Sequence, residues 1–434
     1  MSPFLLLALA PTPQGHEVPG VPAGKAAKAN DDCCKFDPVT GEGVSLGGFL
    51  FPEINYQAAA GSSTADPARL AVGHHDPDRH GITQQNVEFT LGVHLGEHLE
   101  LFGNYNAKID REDHWVGESE EHYATLRDFL PLQATLKGGR FFTEFGYHNR
   151  EHLHDYTFID KYLANGRMIG EDSATVYGGE LSLPVLKRVL PLKWSDRLTF
   201  SYGAVPDPLE EGEELNEVEA LYEAERATWQ DWLASVDFTM THTISEAERC
   251  QFGVSGAWGK NNFHRHTQVY GTHFEYLSRP AGVGNADACC ATDGASFLRW
   301  RAELLLRHFG AVGEGEGGGS DTNADSFGPE EESEIRSVLR DEFTDAGFYT
   351  AVSYGLPRWN VQAHLRAEYV SGVSGAGLPE RWRVSPTVTW HPSERLPVHF
   401  KLQYNYDHLA DLGDEHSFWA QLSFTWGDCC SHDG

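Results

Sequence analysis

The sequence predicts an all-β protein: a closed antiparallel transmembrane β-barrel of about sixteen strands with long outer loops bearing short helices. Three observations predict it. Near the end of the chain, residues 416–426 place Phe418, Ala420, Leu422, Phe424 and Trp426 on one face and Ser417, Trp419, Gln421, Ser423 and Thr425 on the other. Side chains alternate across a strand, so this segment has one apolar and one largely polar face. The links between such segments alternate short and long, as periplasmic turns and outer loops do. The polar faces are dense in Arg, Lys, Glu and His, while Trp258, Trp300, Trp382, Trp390 and Trp426 gather near strand ends as interfacial girdles do.

The segments justify themselves in chain order. Residues 44–57 carry a weaker alternation interrupted by glycine. Residues 86–95 alternate Val87, Phe89, Leu91, Val93 and Leu95 with Asn86, Glu88, Thr90 and His94. The tripeptide Gly96-Glu97-His98 then predicts a tight hairpin. Parity breaks at 122–130 and 133–145 suggest bulges. In 297–307, Leu298, Trp300, Ala302, Leu304 and Leu306 oppose Arg299, Arg301, Glu303 and Arg307. In 360–369, Val361, Ala363, Leu365, Ala367 and Tyr369 oppose Gln362, His364, Arg366 and Glu368. In 398–407, Val398, Phe400, Leu402, Tyr404 and Tyr406 oppose His399, Lys401, Gln403, Asn405 and Asp407.

Further short links are read near Pro131, 245–248, Pro357 and 392–396, and long polar segments at 58–81, 110–120, 146–173, 206–228 and 310–342. Two of the long segments carry a helical period, through Leu215, Val218, Leu221 and Tyr222, and through Ile335, Val338, Leu339 and Phe343.

Composition narrows the class. The chain has 434 residues and a formal net charge of -31, which disfavours nucleic acid as a partner because phosphates would be repelled. Mean hydropathy is -0.43. A barrel strand needs only about 9–11 residues, half of them polar, so barrels escape hydropathy averaging. No apolar run reaches the roughly 18 residues of a membrane-spanning helix.

Residues 1–10 read as a signal peptide, though without a basic start, and 11–43 as a periplasmic N-terminal segment with Cys33-Cys34. Residues 44–426 read as the barrel and 427–434 as a periplasmic tail with Cys429-Cys430. No large plug is expected before the first strand.

The segment 138–154, GGRFFTEFGYHNREHLH, runs on to Asp160, through Gly170-Glu171-Asp172 and into a strand at 177–183. It resembles bacterial outer-membrane porin-like proteins without a plug, a group often labelled zinc-regulated TonB-dependent outer-membrane receptors, and more distantly the phosphate-selective porins. Arg140, Phe141, Phe145, Gly146, Asn149, His152, His154 and Asp160 hold the matching positions. The resemblance implies an outer-membrane channel; the zinc in the label refers to regulation rather than to a substrate.

Lumen-facing charge supplies the first candidate site: Arg299, Arg301, Glu303, Arg307, Arg366, Glu368, Arg381, Arg383 and Lys401. Such rows either brace the wall through cross-strand pairs or select anions. The outer segment 209–225 holds eight glutamates, a hydrated surface or a concentrator of cations.

His74, His75, Asp76 and His80 form one imidazole–carboxylate group, His152 and His154 with His148 and Asp155 a second, and His264 and His266 a third. These donors suit zinc or copper, with the loop-anchor role of His152 and His154 kept open.

Six of seven cysteines form the vicinal pairs Cys33-Cys34, Cys289-Cys290 and Cys429-Cys430, all expected on the periplasmic side. Disulfides between pairs, a thiolate site for copper or zinc, and docking of a periplasmic partner such as a redox protein are the readings. Cys250 reads as a lone packed thiol.

No nucleophile elbow, phosphate loop, haem-attachment motif or helical zinc-protease motif occurs, so no enzyme is expected and no cofactor is required. The expectation is a porin-like channel in the outer membrane of a Gram-negative-type bacterium, with lipid, small hydrophilic solutes or ions, and a homotrimer among its partners. The alternatives are a metal-uptake protein and a structural barrel that docks a periplasmic redox partner.

Overall fold

The computed structural model describes residues 48–427 except 96–97, 111–112, 128–129, 172, 187–192, 207–227, 262, 264, 280–295, 313–339, 374–375 and 394–396. Sixteen strands follow one another: β1 (Gly48–Ser63), β2 (Gly81–Leu95), β3 (Leu99–Ile109), β4 (Trp115–Leu126), β5 (Thr135–Phe142), β6 (Thr175–Leu183), β7 (Trp194–Ala204) and β8 (Trp229–Ser245), then β9 (Glu248–Asn261), β10 (His266–Ser278), β11 (Leu298–Val312), β12 (Arg340–Leu356), β13 (Val361–Val370), β14 (Arg381–Trp390), β15 (Val398–Leu409) and β16 (Gly413–Gly427). Each pairs antiparallel with its sequence neighbours, and β16 returns to β1 from Glu53↔Gly427 to Ser63↔Ser417, closing the ring. Closure leaves no unpaired edge, which a spanning sheet requires in lipid.

Alternation sets the two faces as the sequence predicts. Phe89, Leu304, Leu365, Leu402, Phe418 and Trp426 point outward and are exposed, an apolar outer band suited to acyl chains. Their neighbours Glu88, Glu303, Arg366, Lys401, Ser417 and Gln421 point inward and are buried. Trp300, Trp390 and Trp426 lie exposed near strand ends, as a girdle requires.

Both ends of the described chain lie on the rim of the tight links 246–247 and 357–360, while links 64–80 and 143–174 and the strand ends at Ala204 and Val312 lie on the other. Segments 58–63 and 115–120, expected as outer loop, belong to β1 and β4. The short helices α1 (Pro67–Leu70) and α2 (Leu163–Met168) fall in links 64–80 and 143–174. The helical period at 215–222 and 335–339 lies outside the described residues, and Phe343 belongs to β12.

A bulge in β4 explains one misread boundary. The pairing with β3 shifts between Asn104↔Glu121 and Asn106↔Glu118, so two β4 residues oppose one on β3. Glu120 and Glu121, adjacent in sequence, are both buried as a result.

Link 143–174 folds into the ring. Phe145, Leu163, Ala164, Met168 and Ile169 form an apolar cluster with the wall residues Val176, Leu233, Ala257, Val269, Leu305 and Val370. The core of this protein is therefore a seam between an inward loop and one arc of the wall.

Candidate functional site: a lumen narrowed by an inward loop

The loop begins at a forced turn. Gly146 has φ +62°, and a Cβ there would sit 1.8 Å from Glu303 Oε1. Only glycine fits. Glu303 instead accepts the Tyr147 backbone N–H at 2.7 Å, and the Ser255 hydroxyl accepts that of Gly146 at 3.1 Å. Asn149 ties the loop's two ends together: its Nδ2 donates to the Thr143 carbonyl at 2.8 Å and its Oδ1 accepts the Ala174 N–H at 2.6 Å.

Asp160 is the central pin. Its carboxylate pairs with Arg366, with Arg383 at 2.9 Å, with Gln403 Nε2 at 2.6 Å and with Asn405 Nδ2 at 3.0 Å, reaching β13, β14 and β15. Burial works against charge on this carboxyl, but the two guanidiniums outweigh it and hold Asp160 below the usual carboxylate range. Gln403 also accepts the Ile159 N–H, and Glu368 the Leu163 N–H, each at 2.8 Å. Lys401 donates to the Tyr156 carbonyl and Arg307 to that of Arg167.

The other flank of the loop meets β1, β2 and β4. His152 lies between Glu120 and Glu121, at 3.0 Å through Nδ1 and 2.8 Å through Nε2. Its imidazole pays a burial penalty when charged, yet the two carboxylates hold it well above its usual pKa. His154 lies 2.9 Å from Glu88 and 3.6 Å from Glu53. Burial opposes its charge too, but Asp155 and Glu88 prevail and push it up to about 10. His148 differs: burial dominates and lowers it to about 4, despite Glu151 at 2.9 Å.

The nine residues expected to face the lumen lie on the inner side of the wall, most of them buried; the arginines are ion-paired, and Lys401 bonds a loop carbonyl. Arg307 and Asp345 form a bidentate pair with both side chains fully buried. Arg381 and Arg383 share Asp407, at 2.8 Å each. Arg301 joins Glu275 to Glu151 of the loop, and Arg299 stands 3.6 Å from Glu275.

The charge is unevenly spread. Glu53, Glu88, Glu100, Glu118, Glu120 and Glu121 line β1–β4, while Arg249, Arg299, Arg301 and Arg307 lie on β9 and β11 across the ring, with Arg366, Arg381, Arg383 and Lys401 beyond them on β13–β15.

Among the histidine-group residues, Asp76 accepts the backbone N–H groups of Val72, Gly73 and Lys161 and so organises a turn. His74 stands 3.9 Å from Glu171, and His80 is exposed. His75 alone of that set joins Glu118 and Glu120 in a compact donor group. Sequence reasoning put Glu88 on a polar strand face without marking it as a site residue, and missed Glu53, Glu118, Glu120 and Glu121; the run Glu118-Ser119-Glu120-Glu121 was the available signal. The three cysteine pairs lie outside the described residues, and Cys250 is a half-buried free thiol on β9.

No family model matches the chain, and no curated protein matches it. Solved structures do. It is similar to an anion-selective porin from Comamonas acidovorans (8% identity, 87% of this chain and 99% of that one, TM-score 0.49). It is similar also to the outer-membrane channel DcaP of Acinetobacter baumannii (10%, 88% and 97%, 0.47) and to OmpT of Vibrio cholerae (10%, 87% and 98%, 0.45).

Proposed function

We infer that this chain is a porin-like channel of the bacterial outer membrane, passing small hydrophilic or charged solutes by diffusion through a charged lumen. One observation carries the reading: a closed, lipid-compatible ring holds an inward loop between an acidic arc on β1–β4 and a basic arc on β9–β15. Fixed charge along a narrowed passage orients and sorts ions without any moving part. The pairing of the arginines favours bracing as their first role; those less fully enclosed, such as Arg299 with its side chain 26% exposed, are left to act on passing ions.

Membrane lipid is the partner of the apolar band in this reading, and assembly as a homotrimer belongs to it as well; native mass spectrometry in detergent reads the oligomer. The decisive test of conduction is a planar bilayer with a salt gradient. Discrete, reproducible conductance steps are expected, with a reversal potential that moves when lumen charges are neutralised. Well-folded barrels that insert without conducting would sink the reading.

A further inference from the structure

His75, Glu118 and Glu120 form a compact group of metal-ligating side chains. Their ligand atoms all lie within 4.8 Å of one another, and His75 Nε2 is 3.4 Å from Glu120 Oε1. Two donors held at about 2.0–2.2 Å by one tetrahedral metal stand about 3.3 Å apart. His75 Nδ1 lies 2.8 Å from the Gln85 carbonyl, which can only accept, so Nδ1 carries a proton. Gln85 Nε2 donates back to the His75 carbonyl at 2.8 Å, fixing the residue's backbone as well. In the neutral ring the lone pair is then on Nε2, aimed at carboxylates. A lone pair 3.4 Å from a carboxylate oxygen calls for a positive group between them, a proton or an ion.

The surroundings have the form that supports a metal's ligands. Glu120 offers Oε1 to the group while its Oε2 is held by His152 Nδ1 at 3.0 Å. Asn106 supplies a second, independent sign. It is 1% exposed, and its Oδ1 has no hydrogen-bond partner among the described residues. Its Nδ2 position lies 3.3 Å from His75 Nε2 and 3.0 Å from Glu120 Oε1. Amide oxygen and nitrogen are interchangeable by a flip. Turning this amide delivers its buried oxygen, unpartnered where it stands, to the same point. Arg140 stands 4.0 Å from Glu118.

We propose that His75, Glu118 and Glu120, with the amide oxygen of Asn106, bind a divalent transition-metal ion of the zinc class. An imidazole among the ligands favours that class over magnesium or calcium. The bulge in β4 and the inward turn of link 64–80 together create the group. The ion would fasten that link to the wall, and the site stands whether or not the barrel conducts.

The test uses the full chain folded in detergent, with its cysteine thiols alkylated so that they cannot bind metal. Zinc chloride is titrated calorimetrically, with magnesium chloride as competitor. One equivalent of zinc, undisturbed by excess magnesium, is expected; His75→Ala should weaken it by roughly ten-fold or more. Crystals soaked in zinc should show an anomalous peak bonded to His75 Nε2 and to a carboxylate oxygen of Glu118 or Glu120. The crystal reading needs no variant, so a poorly folding mutant does not blunt the test. Absence of that peak, binding unaltered in His75→Ala, or a peak only at other residues overturns the proposal, and leaves a proton on Nε2 as the cation.

Discussion

Asp160→Asn removes one negative charge from the pin of the inward loop while keeping its shape. Breaking a buried ion pair by removing one partner costs about 3–5 kcal/mol. Arg366 retains Glu368 at 3.0 Å and Arg383 retains Asp407 at 2.8 Å, so the cost falls at the low end, about 3 kcal/mol. At about 1.4 kcal/mol per factor of ten, local opening of the loop becomes roughly a hundred-fold more frequent.

Hydrogen exchange reads this directly. The amides of Ile159, Lys161 and Leu163 donate to Gln403, Asp76 and Glu368, and each is protected only while the loop is seated. They should exchange roughly a hundred-fold faster in the variant, while amides of the β8–β9 hairpin keep their rates. Unchanged exchange at those three amides would show that the apolar seam alone seats the loop and would refute the assigned role of Asp160.

Three further outcomes follow from the same geometry. Arg299→Gln should shift the reversal potential toward cation preference, most at low salt, because this guanidinium is 3.6 Å from Glu275 and partly hydrated; an unmoved potential would assign it to bracing. His154 is raised to about 10, so its contribution is complete below the ordinary imidazole value of about 6.5 and is lost as pH climbs through about 10. Melting temperature should therefore fall over that window, and His154→Gln should flatten the slope; equal slopes in both proteins would disprove the linkage. Gly146→Ala drives a Cβ into Glu303 at a left-handed position and should destabilise the loop's seat by about 1–3 kcal/mol, read as faster exchange at Tyr147; a wild-type rate there would count against the forced turn.

The wall was legible because its code is local. A period of two separates Phe418 from Trp419 whatever the rest of the chain does, and the closing strand, the tight links and the inward row from Arg299 to Lys401 all follow from it. The interior was less so, since its partners are distant in sequence: Asp160 meets residues more than two hundred positions away. The matching positions from Arg140 to Asp160 nonetheless hold the loop's anchors, Gly146, Asn149, His152, His154 and Asp160 among them. The start of β4 was read as loop because its bulge breaks the alternation, turning two adjacent glutamates the same way.

Ile159, fully buried at the tip of the inward loop, packs with Ala59 of β1 and Trp419 of β16. Trp419 can lie there because Gly61 has no side chain; a Cβ on Gly61 would stand 2.5 Å from its ring. These two strands stand first and last in the ring's order, so their pairing is the one that closes the cylinder. The tip of the loop thus bridges that closure from inside, a clasp set across the seam. A ring open between β1 and β16 would keep the loop's bonds to β13–β15 and lose the packing of Ile159 across the gap.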